Sequence, residues 1–253
     1  MPGFSAFMAL FKNQLKLMRA SAISVSVLVA LVTGMMIYSA SSNLIPASSF
    51  FSSYALILPI LVGVIATLMC GDMGTRDFYY PAGLIVLAQP VKRWVAFMAR
   101  FSASAILAIV PLTILFVSAA VGSNYFYGAT MPGMPASFAV AVLYMLSFIA
   151  FIAFISIVAG EGAALTTGIL ISVMAVLFLL VLEHFYGIEP WFFLPYAGMS
   201  IGAVTSTPYP THFVPNGIFP YTPYLSEAIE IMVGYTALSL AGAIWFYSRR
   251  EVL

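Results

Sequence analysis

Residues able to do chemistry are few in this sequence, and their spacing matches no common catalytic or metal-binding motif. The two histidines, His184 and His212, lie far apart in the chain, and the single cysteine is Cys70. A zinc peptidase would need a His-Glu-x-x-His pair, and a P-loop ATPase would need a glycine-rich phosphate loop ending in Gly-Lys-Ser or Gly-Lys-Thr. Neither pattern occurs. We therefore expect no catalytic residue, no metal site and no bound cofactor in this chain, and we predict that the protein is not an enzyme.

Two groups of titratable residues leave other functions open, namely lipid chemistry and proton or cation movement. An enzyme acting on lipid would need acid–base groups clustered at one depth of the membrane. The candidates are Glu183, His184, Glu189 and His212. A second acidic pair, Glu227 and Glu230, lies at the outer end of the last apolar run. Carboxylates within a membrane commonly move protons or cations, whereas acidic residues at the start of a helix are also explained by the helix dipole.

Composition indicates that lipid surrounds most of the chain. Hydrophobic residues make up 63% of the sequence and charged residues 7%, whereas soluble domains contain roughly 45–50% apolar and about 25% charged residues. A transmembrane helix needs about 20 mostly apolar residues. The runs that qualify are Ala20–Ala40, Tyr54–Gly71, Phe101–Gly122, Ser137–Gly160, Ala163–Leu182 and Ile229–Tyr247. The predicted fold is therefore an all-α membrane protein, a single domain of residues 1–253 with six transmembrane helices.

Positive charge predicts the orientation of these helices. The basic residues lie before the first run, between the second and third runs, or after the last run. They are Lys12, Lys16, Arg19, Arg76, Lys92, Arg93, Arg100, Arg249 and Arg250. Because Lys and Arg accumulate on the cytoplasmic side, we expect both termini and residues 72–100 in the cytoplasm, in a multi-pass protein of the plasma membrane. The net charge of +1 favours no nucleic-acid partner.

Two further segments flank the predicted spans. In residues 1–19, apolar side chains recur at helical spacing beside Lys12, Lys16 and Arg19, which predicts an interfacial helix that binds lipid head groups. A cytoplasmic extension of the first span is the alternative. Residues 183–227 form a proline-rich outer loop, whose apolar part Trp191–Val204 is too short to cross and fits a re-entrant or interfacial segment. Its aromatic residues suit either a collar at the membrane surface or an exit for cargo.

The predicted cytoplasmic segment at residues 72–100 carries the most informative local pattern. An acidic residue and a glycine precede a Pro-Val-x-Arg element and a basic residue at the third span. These are Asp72 with Gly74, or Asp77 with Gly83, followed by Pro90, Val91, Arg93 and Arg100. Together with the aromatic and basic tail Trp245–Glu251, this pattern resembles ABC-2 type permeases, the membrane subunits of one group of ABC transporters. The resemblance extends over essentially the whole chain as an order of elements.

The resemblance implies a fold like that of type V exporters and a set of partners. The chain would pair with a second permease copy, as a homodimer or pseudodimer, and with two copies of an ABC ATPase that hold ATP and Mg²⁺. The cargo path would lie at the permease interface, lined by the first, second and fifth spans. The residues expected to contact the ATPase are Asp77, Tyr79, Tyr80, Gly83, Pro90, Val91, Arg93 and Glu161. Glu161, in the turn between the fourth and fifth spans, is equally explained as a solvated turn residue.

A physical argument supports the same function without the family. Residues 72–100 mix charged and apolar side chains, which is typical of an interaction surface. The predicted spans contain no Asp, Glu, Lys or Arg in their interiors, where coupled carriers hold ions, so energy should enter from a separate subunit. We expect a permease for a hydrophobic or amphipathic cargo, moved outward or inward. A lipid-directed enzyme and a non-transporting membrane scaffold are the alternatives.

Overall fold

Helices account for most of the described chain. The computed structural model describes residues 2–42, 47–71, 73, 92–128, 132–206, 208–213 and 219–249. Its long helices are α1 (Pro2–Ser42), α2 (Ala47–Cys70), α3 (Arg93–Tyr127), α4 (Met134–Ala159), α5 (Glu161–Leu180) and α8 (Leu225–Arg249). Between α5 and α8 lie a π-helical turn (Val181–Phe185) and two short helices, α6 (Leu194–Gly198) and α7 (Ser200–Ala203). These ranges contain no strand beyond an isolated antiparallel bridge between Phe213 and Tyr221, so the all-α prediction is confirmed.

Five helices within the described residues are long and apolar enough to cross a membrane. They are α1, α3, α4, α8, and α5 continued through the π-helical turn. The prediction of a multi-pass membrane protein is confirmed at this level. The predicted second span falls on α2, whose apolar segment Leu56–Cys70 is shorter, so the count of six spans stays a prediction.

Helix α1 differs from the predicted division into an interfacial helix and a span. It continues unbroken through residue 19, because no glycine or proline occurs between Phe4 and Thr33. A buried stripe at helical spacing packs along α3 and crosses the predicted boundary. Its members are Gln14, Met18, Ala22, Val25, Val29 and Thr33. This continuity favours an extension of the first span. The exposed Lys12, Lys16 and Arg19 lie outside the stripe, and their contact with lipid stays a prediction.

Contacts between helices define their directions. The Tyr54 hydroxyl of α2 donates to the Leu115 carbonyl of α3 (2.6 Å), and the Ser156 hydroxyl of α4 donates to the Gly71 carbonyl after α2 (2.9 Å). Further contacts are Met18 with Ser104 and Phe97 with Tyr247. Helices α1, α3 and α5 therefore run one way, and α2, α4 and α8 run the other. Both ends of the described chain lie with Gly160 at one end of the bundle, the turn end. The described residues between 181 and 224 lie toward the other end, the loop end. That the turn end faces the cytoplasm stays a prediction.

Gly160 separates α4 from α5. Its φ of 97° lies in a region that residues with a side chain rarely adopt, and its N–H donates to the Ser156 carbonyl (3.1 Å). The two helices consequently form an antiparallel hairpin, with Glu161 in the first turn of α5. Helix α4 occupies the centre of the bundle, where it packs against α2, α3, α5 and α8.

Candidate functional site

Helices α2 and α5 touch closely at the turn end of their interface. Glycines on both helices make this approach possible. The facing pairs are Gly71 with Leu165, Gly168 with Thr67, and Gly63 with Ser172. A methyl group on any of these glycines would collide with the facing side chain. Small residues at such spacing let helix backbones approach closely in membranes, and successive pairs advance by about one turn along both helices.

The same interface opens toward the loop end, where a cavity of about 220 Å³ separates the two helices. The helical register continues there, but larger residues replace the glycines. Helix α2 contributes Leu56, Pro59 and Ile60, and α5 contributes Ala175, Val176 and Leu179. The other walls come from Tyr144 of α4 and from α6 and α7, with Ser206 and Thr222 at the loop end. None of the described residues that line the cavity is charged.

Helices α6 and α7 lie buried between the longer helices and form one wall of the cavity. Gly198 of α6 packs against the Tyr144 ring and Pro59 of α2. The Ser137 hydroxyl of α4 donates a hydrogen bond to the Ile201 carbonyl of α7 (2.6 Å). The two short helices fall on the apolar segment that is too short to cross. Its re-entrant course in a membrane stays a prediction.

A polar cluster lies at the loop end, next to the cavity. The Nε2 atom of His212 is 3.3 Å from Oε2 of Glu189, whose Oε1 accepts a hydrogen bond from the Tyr196 hydroxyl of α6 (2.7 Å). The Nδ1 atom of His212 is 2.8 Å from the Thr222 carbonyl oxygen, and the His212 ring stacks on Tyr224. Because a carbonyl only accepts, we assign a proton to Nδ1. A hydrogen bond between Nε2 and the Glu189 carboxylate then requires a second proton, either on Nε2 or on Glu189.

Tyr196 connects this cluster to the cavity wall. Burial and the hydrogen bond to Glu189 raise the pKa of Tyr196 above its ordinary value, so the hydroxyl stays protonated and donates to the carboxylate. At the other side of His212, Thr222 both lines the cavity and donates its N–H to the His212 carbonyl (2.9 Å). The Glu189–His212 pair therefore links α6 to the loop around Thr222 at the cavity rim.

Glu183 occupies a separate buried position in the π-helical turn. It is 2% exposed, and its Oε2 accepts a hydrogen bond from the Tyr221 N–H (3.1 Å). Its Oε1 is buried and has no hydrogen-bond partner in the described part of the chain. His184, the next residue, is exposed. The structure thus joins Glu189 to His212 and ties Glu183 to the same loop, at Tyr221. His184 does not belong to the polar cluster.

The remaining titratable candidates do not join this cluster. Across the described ranges, no group of three or more His, Cys, Asp or Glu could hold a metal ion. Cys70 is buried, with its sulfur 3.7 Å from the Ile149 carbonyl oxygen, which suits a packing role. Glu227 and Glu230 are exposed near the start of α8, where the helix dipole favours acidic residues.

The residues predicted to contact an ATPase lie at the turn end or outside the described residues. Asp77, Tyr79, Tyr80, Gly83, Pro90 and Val91 fall outside the described residues. Arg93 begins α3, Glu161 begins α5, and both are half-buried. Both therefore lie at the turn end of the bundle. Their contact with a partner stays a prediction.

The α2–α5 interface was missed in the sequence, although one of its signals was present. Gly63, Thr67 and Gly71 recur at four-residue spacing, and so do Gly168 and Ser172. Such spacing is typical of helices that pack closely in membranes. The cavity has no comparable signal, because its walls come from several segments that are distant in the chain.

No protein-family model matches this chain, and no curated protein has significant sequence similarity to it. The likeness to ABC-2 type permeases is consequently one of local motifs and element order. The structure itself defines the class: a helical multi-pass membrane protein with an apolar cavity between two of its long helices.

Proposed function

We propose that this chain is the permease subunit of an ABC-type transporter, which moves a hydrophobic or amphipathic cargo across the plasma membrane with energy from a separate ATPase. In this proposal the chain crosses the membrane six times, with α2 as the second crossing and both termini in the cytoplasm. Helices α6 and α7 enter from the outer face as a re-entrant segment. Two ATPase copies hold ATP and Mg²⁺, and a second permease copy completes the path.

The shape of the α2–α5 interface is the observation that carries the proposal. Glycine contacts close the interface at the turn end, and a cavity parts the helices at the loop end. Helices packed in this way can change their opening when one of them tilts about the close contact. Helix α2 leads into residues 72–92, and α3 follows them. A push on that segment would therefore act on α2 at its turn end.

The cavity lining supports an apolar cargo. Its described lining carries no charged side chain, so a charged solute would lose its hydration there without gaining a partner. Burial of apolar surface is favourable by roughly 25 cal/mol per Å². The cavity accordingly favours hydrocarbon or aromatic groups.

Copurification tests the partner. A tagged chain isolated from its native membranes in mild detergent should bring an ATPase with it. The variant Arg93→Ala should recover less ATPase, because Arg93 belongs to the Pro-Val-x-Arg element of the predicted coupling segment. Lys92→Ala is the matched control, since Lys92 is adjacent, basic and exposed but lies at the variable position of that element. Equal ATPase recovery with both variants would contradict the docking site.

Reconstitution tests transport. In vesicles that contain the chain and its copurified ATPase, ATP should redistribute a fluorescent short-chain phospholipid between the two leaflets. Ala175→Phe, which fills the cavity, should slow this movement while leaving ATPase recovery unchanged. ATP hydrolysis with no movement of any amphipath in a broad panel would favour a membrane scaffold instead.

A lipid-directed enzyme is the second candidate, and the Glu189–His212 pair favours it. A histidine joined to a carboxylate is a common acid–base arrangement, and this pair adjoins the cavity through Thr222. If the enzyme hypothesis holds, the purified chain should convert a lipid without ATP, and Glu189→Gln should reduce the turnover. Mass spectrometry that finds no product across a lipid panel, together with intact ATP-driven transport, would exclude this candidate.

A further inference from the structure

The cavity between α2 and α5 is too small for a whole drug-sized ligand but large enough for part of one. Its volume is about 220 Å³. An apolar cavity of about 150 Å³ takes up benzene, whereas drug-sized ligands fill roughly 300–1,000 Å³. The space therefore fits one ring or part of one hydrocarbon chain.

The exposure of two lining residues places an opening of the cavity, its mouth, on the outer surface of the helix pair. Leu56 of α2 lines the cavity and is 40% exposed, and Val176 of α5 lines it and is partly exposed. The neighbouring outward residues of α5, Val173 and Leu177, are exposed and apolar. In a single copy of the chain embedded in a bilayer, the medium at such a surface of membrane-spanning helices is hydrocarbon. The group nearest to the mouth is therefore the acyl chain of a lipid.

Polar groups of the lining lie where a lipid head group would be. The Ser172 hydroxyl, beside the glycine contacts, already donates to the Gly168 carbonyl of its own helix (2.7 Å). Ser206 and Thr222 lie at the loop end of the cavity, where the His212–Glu189 pair adjoins them. An amphipath that enters through the mouth would thus place its chain between α2 and α5 and its head group beside Ser206 and Thr222.

We propose that this cavity binds part of one acyl chain of a phospholipid from the surrounding leaflet, the part nearest to the head group, with the head group at Ser206 and Thr222. This inference rests on the proposed function, because the bound lipid is a cargo only if the chain transports it. It defines the cargo class as a lipid-like amphipath that enters from within the membrane.

Photo-crosslinking of the purified chain in phosphatidylcholine nanodiscs tests the site. The probe is a phosphatidylcholine that carries a diazirine on one acyl chain near its carbonyl end, added as a small fraction of the lipid. Mass spectrometry should find labels enriched on Leu56, Ile60 and Leu179 relative to Leu31 and Met35, which lie on the exposed face of α1. Labels distributed simply in proportion to exposure would overturn the proposal.

A cavity-filling variant provides the second measurement. Ala175→Phe places a ring inside the cavity, whereas Leu177→Phe places the same ring on the exposed face of the same helix. The first variant should lose most of the cavity labelling, and the second should retain it. If Ala175→Phe does not fold, Ala203→Leu on the α7 wall replaces it. Unchanged cavity labelling in a folded, cavity-filled variant contradicts the site.

A fatty acid with the same diazirine tests the contribution of the head group. Cavity labelling by the phospholipid in preference to the fatty acid supports the proposed site, and labelling by the fatty acid alone overturns it. The experiment needs neither ATP nor an ATPase. Cavity labelling in a chain that has no ATPase partner would support the lipid site and contradict the transport function. Transport without cavity labelling would support the transport function and contradict the lipid site.

Discussion

Replacing Gly168 by alanine should force α2 and α5 apart. A Cβ atom at this position would overlap the Thr67 side chain and would lie 2.8 Å from Cδ1 of Ile152. Overfilling a packed interior costs about 1–3 kcal/mol, while alanine gains up to about 1 kcal/mol over glycine in a helix interior. We therefore expect a net destabilisation of about 0–2 kcal/mol, the difference between these two effects.

Gly234→Ala is the matched control for this prediction. Gly234 lies inside α8, and a Cβ atom there would meet no heavy atom within 4 Å. Both variants gain the same helix propensity, so their difference isolates the collision at Gly168, about 1–3 kcal/mol. For a chain of this length, 1 kcal/mol changes Tm by about 2–4 °C. Gly168→Ala should consequently melt about 2–12 °C below Gly234→Ala.

Cys70 provides the assay for this prediction. It is the single cysteine of the chain and is fully buried at the turn end of α2, so a thiol-reactive fluorogenic dye reports unfolding as the temperature rises. Adding Thr67→Ala should restore part of the stability lost in Gly168→Ala, because it removes the Thr67 atoms that the new Cβ would overlap but leaves the contact with Ile152. Equal melting temperatures for Gly168→Ala and Gly234→Ala would refute the close approach of α2 and α5.

The remaining predictions concern the loop end, the orientation and α1. His212→Phe removes both ring hydrogen bonds, which at about 0.5–1.5 kcal/mol each are worth about 1–3 kcal/mol together. Hydrogen exchange at the Thr222 N–H should therefore accelerate by about tenfold, and unchanged exchange would show that the ring does not hold the loop. On intact cells, a membrane-impermeant thiol reagent should label the variant Ile188→Cys and leave Lys92→Cys unlabelled, and the reverse pattern would contradict the predicted orientation. Ala20→Pro should destabilise the chain by about 3 kcal/mol, since α1 is continuous there, whereas an unchanged Tm would indicate two separate helices.

The helices were largely predictable from the sequence, because apolar runs of membrane-spanning length leave few other structures. The exception is α1, where the change from charged to apolar residues near residue 19 predicted a boundary. The buried stripe that runs along this continuous helix includes Gln14 and Thr33. Because their side chains are polar, a hydrophobicity pattern does not show the stripe. The Thr33 hydroxyl donates to the Val29 carbonyl (2.8 Å), so it is buried without an unsatisfied donor.

The candidate site was predicted only in part. Glu189 and His212 were recognised as chemically capable residues, but their contact depends on the bridge between Phe213 and Tyr221 and on Tyr196 in α6. These are tertiary features that the proline-rich sequence does not specify. The cavity depends further on the register of α2 against α5, which no local pattern determines.

The persistence of the cavity is itself informative about its role. An enclosed empty cavity costs about 24 cal/mol per Å³, so about 5 kcal/mol is the upper limit for a volume of this size that opens on one side. The hydrogen bonds of Ser137 with Ile201 and of Tyr196 with Glu189 hold α7 and α6 in place, but at about 0.5–1.5 kcal/mol each they offset only part of that cost. Glycines at the loop end would have let α2 and α5 close there as they do at the turn end, whereas the chain places Leu56 and Leu179 at these positions. A hydrocarbon chain in the cavity would recover the missing dispersion contacts, and this accounts for a fold that keeps the two helices apart.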